Sequence, residues 1–259
     1  MIDVTGFTYK KTQFPCGEIG IDIEHISKPD SRVGNLCIIW NFENVSEIIE
    51  VSLLVHTLKL NYGQEIDLIL PYVPFSRQDR KTHVGGCFSL KWFCELINGL
   101  KFTRVCIQDP HSYVITALLD NVKEKSQASV FTFLLLQVAK NPFNLICPDA
   151  GAIKKINACA NIEGLTNKPT IIECSKHRNE LTGEITGTKV NCDDLGGRDC
   201  YIVDDICDGG GTFIAIAKAL KEKNPGKIVL CVTHGFFTRG LEVFDGLIDE
   251  IYTSNGQVK

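Results

Sequence analysis

An α/β fold with parallel sheets flanked by helices is predicted for this 259-residue chain by three observations. Short apolar runs alternate with segments of helical periodicity along most of its length. The apolar runs are bounded by polar and turn residues, as buried strands are. One of them, Tyr201-Ile202-Val203, leads into two carboxylates, a glycine loop and a new helix.

Taken in order, Leu36 to Ile39 and Asp67 to Leu70 read as strands, followed by a helix over Ser89–Asn98, a strand at Val105-Cys106-Ile107 and a helix over Tyr113–Leu119. Leu145-Ile146, Thr170-Ile171-Ile172, Tyr201–Val203 and Ile228–Val232 are the strands that follow. Phe213 to Leu220 carries helical periodicity with no breaker before Pro225. In sheets of this kind ligands gather at the carboxyl ends of strands, where His111, Asp149 and Asp204 fall.

Composition narrows the function classes. The chain is 44% apolar, enough for one large or two small packed domains. No apolar stretch approaches the length of a membrane span, and Met1 to Thr5 lacks a basic-then-apolar signal sequence, so a cytoplasmic protein without a membrane partner is expected. The 12 cysteines are scattered through apolar strands with no CxxC pairing and read as reduced core residues. A formal charge of −4 argues against a general nucleic-acid binder. The cations of Arg77 to Lys81 and Lys176 to Arg178 are then local phosphate contacts.

The segment Cys200 to Thr212 has the anatomy of a sugar-phosphate site. Backbone N–H groups of Gly209, Gly210, Gly211 and Thr212 can turn towards an anion at a helix N-terminus, where the helix dipole also favours negative charge. Asp204 and Asp205 are placed to accept hydrogen bonds from ribose hydroxyls. A plain strand-to-helix turn capped by Asp208 is the bland alternative; it needs one carboxylate and accounts for neither the acidic pair nor three glycines. The segment resembles the phosphoribosyl-diphosphate-binding motif of the type I phosphoribosyltransferase fold, with Gly209 standing where threonine is usual.

Four further segments are similar to ribose-phosphate pyrophosphokinases. Pro71-Tyr72-Val73-Pro74-Phe75-Ser76-Arg77-Gln78-Asp79 resembles the family's Pro-Tyr-x-Pro-Tyr-x-Arg-Gln-Asp signature and is the most specific match. A guanidinium such as Arg77 can stack on an adenine face, whereas a solvated charged loop suits Arg80 and Lys81 as well. Asp109-Pro110-His111 resembles the strand ending in Asp-Leu-His, and Pro148-Asp149-Ala150-Gly151 the Ser-Pro-Asp-Ala-Gly run. The resemblance implies that His111 and Asp149 help hold Mg2+ around ATP; without it, a lone histidine after a strand is more often structural. Lys176-His177-Arg178 matches the Lys-x-Arg of a mobile catalytic loop, and a pair of cations there would stabilise charge on a transferring group, against the alternative of an exposed basic turn. Phe14-Pro15-Cys16-Gly17-Glu18 resembles the flag loop whose aromatic packs on adenine, with Cys16 in place of a polar residue. Thr233 to Gly240 resembles a late Thr-His-Gly-x-Phe segment.

The likeness runs from about Phe14 to Thr253 and implies two similar phosphoribosyltransferase-type domains with the active site between them, divided at the polar run Lys123 to Gln127: residues 1–122 and 123–259. Family members carry a further strand and helix at each end, which this chain lacks. The implied activity transfers the diphosphoryl group of ATP to ribose 5-phosphate, giving phosphoribosyl diphosphate for nucleotide biosynthesis. ATP would be held by Phe14, Cys16, Gly17, Glu18, Arg77, Gln78 and Asp79. Arg178, Asp204, Asp205 and the loop Asp208 to Thr212 would hold the ribose phosphate, and Lys176 and Arg178 would be catalytic. A homo-oligomer is expected. Two alternatives stay open: a larger acceptor such as ADP-ribose, suggested by Gly209, and a non-catalytic regulatory homologue, against which the four residues Lys176, Arg178, His111 and Asp149 stand. A plain phosphoribosyltransferase would not explain Arg77-Gln78-Asp79, and a transcription regulator on the same fold would need an added DNA-binding segment, of which none is visible.

Overall fold

A computed structural model of the chain describes residues 1–26, 35–63, 65–178 and 185–259, and for 176–178 and 185–187 the backbone alone. The chain divides into two compact units, Met1–Lys125 and Ser126–Lys259. The division falls three residues beyond the predicted one, because Val122 to Lys125 is an edge strand in register with Val105 to Gln108.

The first unit runs β1 (Ile2–Thr5), β2 (Phe7–Gln13), β3 (Ile19–Ile26), β4 (Leu36–Trp40), α1 (Glu47–Tyr62), β5 (Ile66–Ile69), α2 (Ser89–Gly99), β6 (Arg104–Gln108), α3 (Tyr113–Leu118) and β7 (Val122–Lys125). Its main sheet is ordered β1-β4-β5-β6-β7, parallel except for β1, which lies antiparallel against β4 from Ile2↔Trp40 to Thr5↔Cys37. Strands β2 and β3 form a separate antiparallel hairpin. Five elements here are absent from the sequence reading: β1, the hairpin strands β2 and β3, α1 and β7.

Helix α1 has a physical signature all the same. Ile48, Val51, Leu54, Val55 and Leu58 recur at steps of three and four and are buried, and the helix stops at Gly63, whose left-handed backbone (φ 59°) lets its N–H bond Lys59 O at 3.1 Å. Two buried acids on α1 are satisfied by neighbours. Glu47 accepts from Trp40 Nε1 at 2.9 Å, and Glu50 accepts from Tyr9 O–H at 2.9 Å and Lys11 Nζ at 2.6 Å. The second pair ties the hairpin to the helix.

The second unit runs α4 (Gln127–Val138), β8 (Asn144–Cys147), α5 (Ile153–Ala160), β9 (Thr170–Arg178), β10 (Ile185–Val190), β11 (Cys200–Cys207), α6 (Gly211–Lys221), β12 (Ile228–Gly235), β13 (Glu250–Thr253) and β14 (Gly256–Gln257). The sheet order is β10-β9-β8-β11-β12-β13-β14, with β9, β8, β11, β12 and β13 mutually parallel. Its central strands feed two cores by simple alternation. Tyr201 and Val203 pack with Phe131, Leu135 and Ile156 from α4 and α5, while Ile202 packs with Phe213 and Ile216 from α6. A strand covered on both faces must be apolar throughout, which is why these runs were legible as buried parallel strands.

Seven of the 12 cysteines are buried, three are partly buried, and Cys16 and Cys87 are exposed; none is in a disulfide. Burial pushes the Cys94 and Cys207 thiols up to about 12 and those of Cys147 and Cys200 up to about 11, so they stay neutral. No helix among the described residues is long and apolar enough to cross a membrane.

The buried stripe of α1 sets the stability of the first unit. Leu54→Ala, at a fully buried position, is expected to destabilise this unit by about 2–5 kcal/mol. Denaturant titration checks this, and a loss below ~1 kcal/mol would mean that α1 is not a core helix.

Candidate active site

Strand β11 is longer than its apolar run implies. It pairs with β8 only through Ile202↔Ile146 but with β12 as far as Cys207↔Gly235, so Asp204 and Asp205 lie inside the strand and beyond the reach of β8. The sequence reading ended the strand at Val203; pairing to β12 carries it through the two acids. Alternation then turns Asp205 inward, where it is 6% exposed, and leaves Asp204 partly exposed.

After Cys207 the chain makes a glycine loop and enters α6. Gly210 is left-handed (φ 75°), and a Cβ there would lie 2.5 Å from Cζ of Phe244, so only glycine fits. Gly211 opens the helix, with open space where its side chain would be. No side chain caps α6. Asp208 accepts a hydrogen bond from Thr238 Oγ1 at 2.8 Å and does not cap the helix, unlike the bland alternative. The start of an 11-residue helix that no side chain caps suits an anion.

The segment after β12 is laced onto this loop. Phe236 and Phe237 donate their N–H groups to Cys207 O at 2.8 and 3.3 Å, and Thr238 N–H to Asp208 O at 3.1 Å. Phe237 meets Phe244 edge to face at 6.2 Å. Gly209 differs from its neighbour: its backbone is unstrained, and an added Cβ would meet Arg239 Cδ at 3.1 Å and Thr238 Oγ1 at 3.8 Å.

Three carboxylates converge near the strand ends. Asp149, after β8, accepts from Gly151 and Ala152 N–H at 3.0 and 3.3 Å, which orients it at the head of α5. Lys155 on α5 reaches Asp205 at 3.4 Å. The Asp204 carboxyl is pushed well above the usual carboxylate range, first by burial and then by the negative charges of Asp205 and Asp149. Lys155 was not singled out from sequence; the adjacent lysines Lys154 and Lys155 following Asp149-Ala150-Gly151 are the signal that could have found it.

The first unit carries the remaining candidates at separate places. Phe14, Cys16, Gly17 and Glu18 form the exposed tip of the β2–β3 hairpin, closed by Phe14 N–H to Glu18 O at 2.8 Å and Gly17 N–H to Phe14 O at 2.9 Å. Arg77, Gln78 and Asp79 follow β5. Phe75, left-handed at φ 62°, packs on Trp92 and Phe93 and thereby turns Arg77 outward, where it is exposed. Gln78 is fixed by Ser89 Oγ at 2.6 Å, and Asp79 pairs with Arg80 at 3.0 Å. His111 is exposed after β6, beyond the buried, left-handed Asp109 (φ 38°).

Lys176 and Arg178 stand in a strand where the sequence reading expected a loop. Antiparallel pairing of Thr188↔Lys176 and Ile185↔Arg178 extends β9 into a hairpin with β10. Their side chains lie outside the described residues, as do residues 179–184. Among the described residues no group of three or more His, Cys, Asp or Glu side chains is gathered as a metal cage.

Residues 115–243 match the phosphoribosyl transferase domain. The chain is 26% identical to the ribose-phosphate pyrophosphokinase of Mycoplasmopsis pulmonis across 95% of its own length and 75% of that protein's. It is 29% identical to that of Mycoplasma genitalium, covering 82% and 65%, and 28% identical to that of Aquifex aeolicus, covering 88% and 71%. The chain thus spans about two thirds to three quarters of the length of these relatives. Its fold matches that of phosphoribosylpyrophosphate synthetase from Mycobacterium smegmatis with a TM-score of 0.79 at 20% identity, covering 95% of this chain and 80% of that one. The extended β11 with its paired acids and the glycine loop that opens α6 thus stand in a chain that is similar over most of its length to ribose-phosphate pyrophosphokinases, which are enzymes, and that has the phosphoribosyltransferase fold.

Proposed function

We propose that this protein transfers the β,γ-diphosphoryl group of ATP to the anomeric hydroxyl of a ribose 5-phosphate compound. The acceptor oxygen attacks the β-phosphorus; the new O–Pβ bond forms as the bond from Pβ to the α–β bridging oxygen breaks. AMP leaves with that oxygen, and the hydroxyl proton is released. Ribose 5-phosphate is the simplest acceptor. The observation that carries the reading is Asp204 and Asp205 on β11 running directly into an uncapped helix N-terminus behind a glycine loop.

Each group has a task that follows from its chemistry. The N–H groups of Gly209 to Thr212 hold the 5′-phosphate, and Asp204 and Asp205 accept from ribose hydroxyls, with Lys155 fixing Asp205. Phe14 offers an aromatic face and Arg77 a guanidinium face to adenine, with Cys16, Gly17, Glu18, Gln78 and Asp79 as their supporting contacts. Lys176 and Arg178 meet charge that develops on the transferring group.

The donor set suits Mg2+. Asp204 is short of compensating charge beside Asp205 and Asp149, and a hard cation prefers oxygen ligands while keeping several waters. Asp149 and His111 would hold it, and it would supply charge neutralisation on the nucleotide phosphates. A homo-oligomer acting in the cytoplasm belongs to the same proposal.

The test is product analysis by mass after mixing protein, ATP, Mg2+ and ribose 5-phosphate. AMP and phosphoribosyl diphosphate in equal amounts are expected; ADP as the nucleotide product would exclude diphosphoryl transfer. Lys176→Ala should lower kcat by roughly 10²–10³ while changing ATP affinity little, since its contact is made in the transition state. Near-normal turnover removes Lys176 from the mechanism.

The raised Asp204 carboxyl gives a pH prediction. The folded state holds a proton that the unfolded chain releases above its ordinary value of about 3.9. Stability contributed by this group therefore falls as pH rises above that value. Asp204→Asn should raise the melting temperature of the ligand-free protein at pH 7, by about 2–4 °C for each kcal/mol gained. The gain should shrink towards pH 4 as activity is lost at every pH. An equal difference at both pH values would show that charge is not its source.

A further inference from the structure

We propose that Arg239 is a specificity-determining residue that contacts a second phosphate on the acceptor, so that the preferred acceptor is a ribose carrying a 5′-diphosphate ester instead of a bare 5′-phosphate. The inference rests on the glycine-loop reading of the phosphate site given above. Its origin is the packing of two loops. Three backbone hydrogen bonds fix the segment Phe236 to Thr238 along Cys207 and Asp208, and Gly240 N–H to Phe237 O at 2.8 Å closes the turn that carries Arg239. The methylenes of Arg239 then run across Gly209: an added Cβ at that glycine would lie 3.1 Å from Cδ and 3.5 Å from Cγ.

Gly209 does not need to be glycine for its backbone, because its φ is not in the left-handed region. What a side chain there would meet, and would have to push aside by a few tenths of an ångström, is the stem of Arg239. Position 209 therefore gives up a short side chain beside the helix N-terminus, and a long cation passes through the space. Arg239 is exposed, and among the described residues its guanidinium makes no hydrogen bond or ion pair. A charged head on a flexible stem is free to follow an anion at a distance from the backbone cradle. The first phosphate is taken by backbone N–H groups, whose reach is short. A second one, linked through a bridging oxygen, lies farther out and suits a guanidinium that can bind two oxygens at once.

The experiment compares kcat/KM for ADP-ribose and ribose 5-phosphate, with calorimetric affinities for both, in the wild type, Arg239→Gln, Arg239→Lys and Gly209→Thr. The ratio of ADP-ribose to ribose 5-phosphate should fall about ten- to a hundredfold in Arg239→Gln, the worth of one contact to a charged group. It should fall less in Arg239→Lys, which keeps the charge. In Gly209→Thr it should also fall, because the new side chain displaces the Arg239 stem. An unchanged ratio, including equal losses for both acceptors through weaker ATP binding, overturns the assignment. A wild type that uses ribose 5-phosphate and neither binds nor uses ADP-ribose overturns it while leaving diphosphoryl transfer intact. If neither acceptor yields AMP, the transfer reading fails, and the calorimetric comparison decides for Arg239 alone: weaker ADP-ribose binding in Arg239→Gln supports the contact, and equal binding ends it.

Discussion

The ring of Phe244 occupies the space that a side chain at position 210 would need, and the second unit's site is arranged around that fact. Because Gly210 turns left-handed beneath the ring, the chain leaves β11 and enters α6 without a capping side chain. The same ring is braced by Phe237, which lies in the segment hydrogen-bonded to Cys207 and Asp208. The two loops are thus one packed object. Their glycines do different work: Gly210 is forced by strain and contact, Gly211 borders open space, and Gly209 yields its volume to another residue's side chain.

A second constraint is electrostatic. Asp149, Asp204 and Asp205 come from two strand ends and have Lys155 as their nearby cation in this unit. Such an arrangement is poor for the empty protein and good for a ligand that brings hydroxyl donors or a cation. Acids held close together by a sheet are a form of preorganisation, since they need not move when the ligand arrives.

The sequence revealed this site unevenly, for physical reasons. Tyr201 to Val203 and Phe213 to Leu220 were legible because a doubly covered strand and a helix leave distinct apolar periods. The extension of β11 through Asp204 and Asp205 was not, since adjacent acids disfavour a strand locally and only pairing with β12 holds them there. The same applies to β9, whose charged end is kept extended by the hairpin with β10. Helix α1 left a clear signal in Val51, Leu54, Val55 and Leu58, whereas the β2–β3 hairpin mixes lysines and threonines with few apolar positions. Lys155 and Arg239 act across 50 and 30 residues of sequence, and although the lysine pair after Asp149-Ala150-Gly151 marks the first, no local pattern names the partner of either.

The exposed Cys16 at the hairpin tip has a practical consequence. Ten of the other cysteines are wholly or partly withdrawn from solvent, so thiol-directed fluorophores or spin labels face a choice of two positions, 16 and 87. Removing Cys87 alone would leave a single native handle beside Phe14, on a hairpin anchored at its base by Tyr9 and Lys11 to Glu50. A nucleotide held by Phe14 as proposed would then be read as a change in a probe's emission or mobility, in a chain with one substitution.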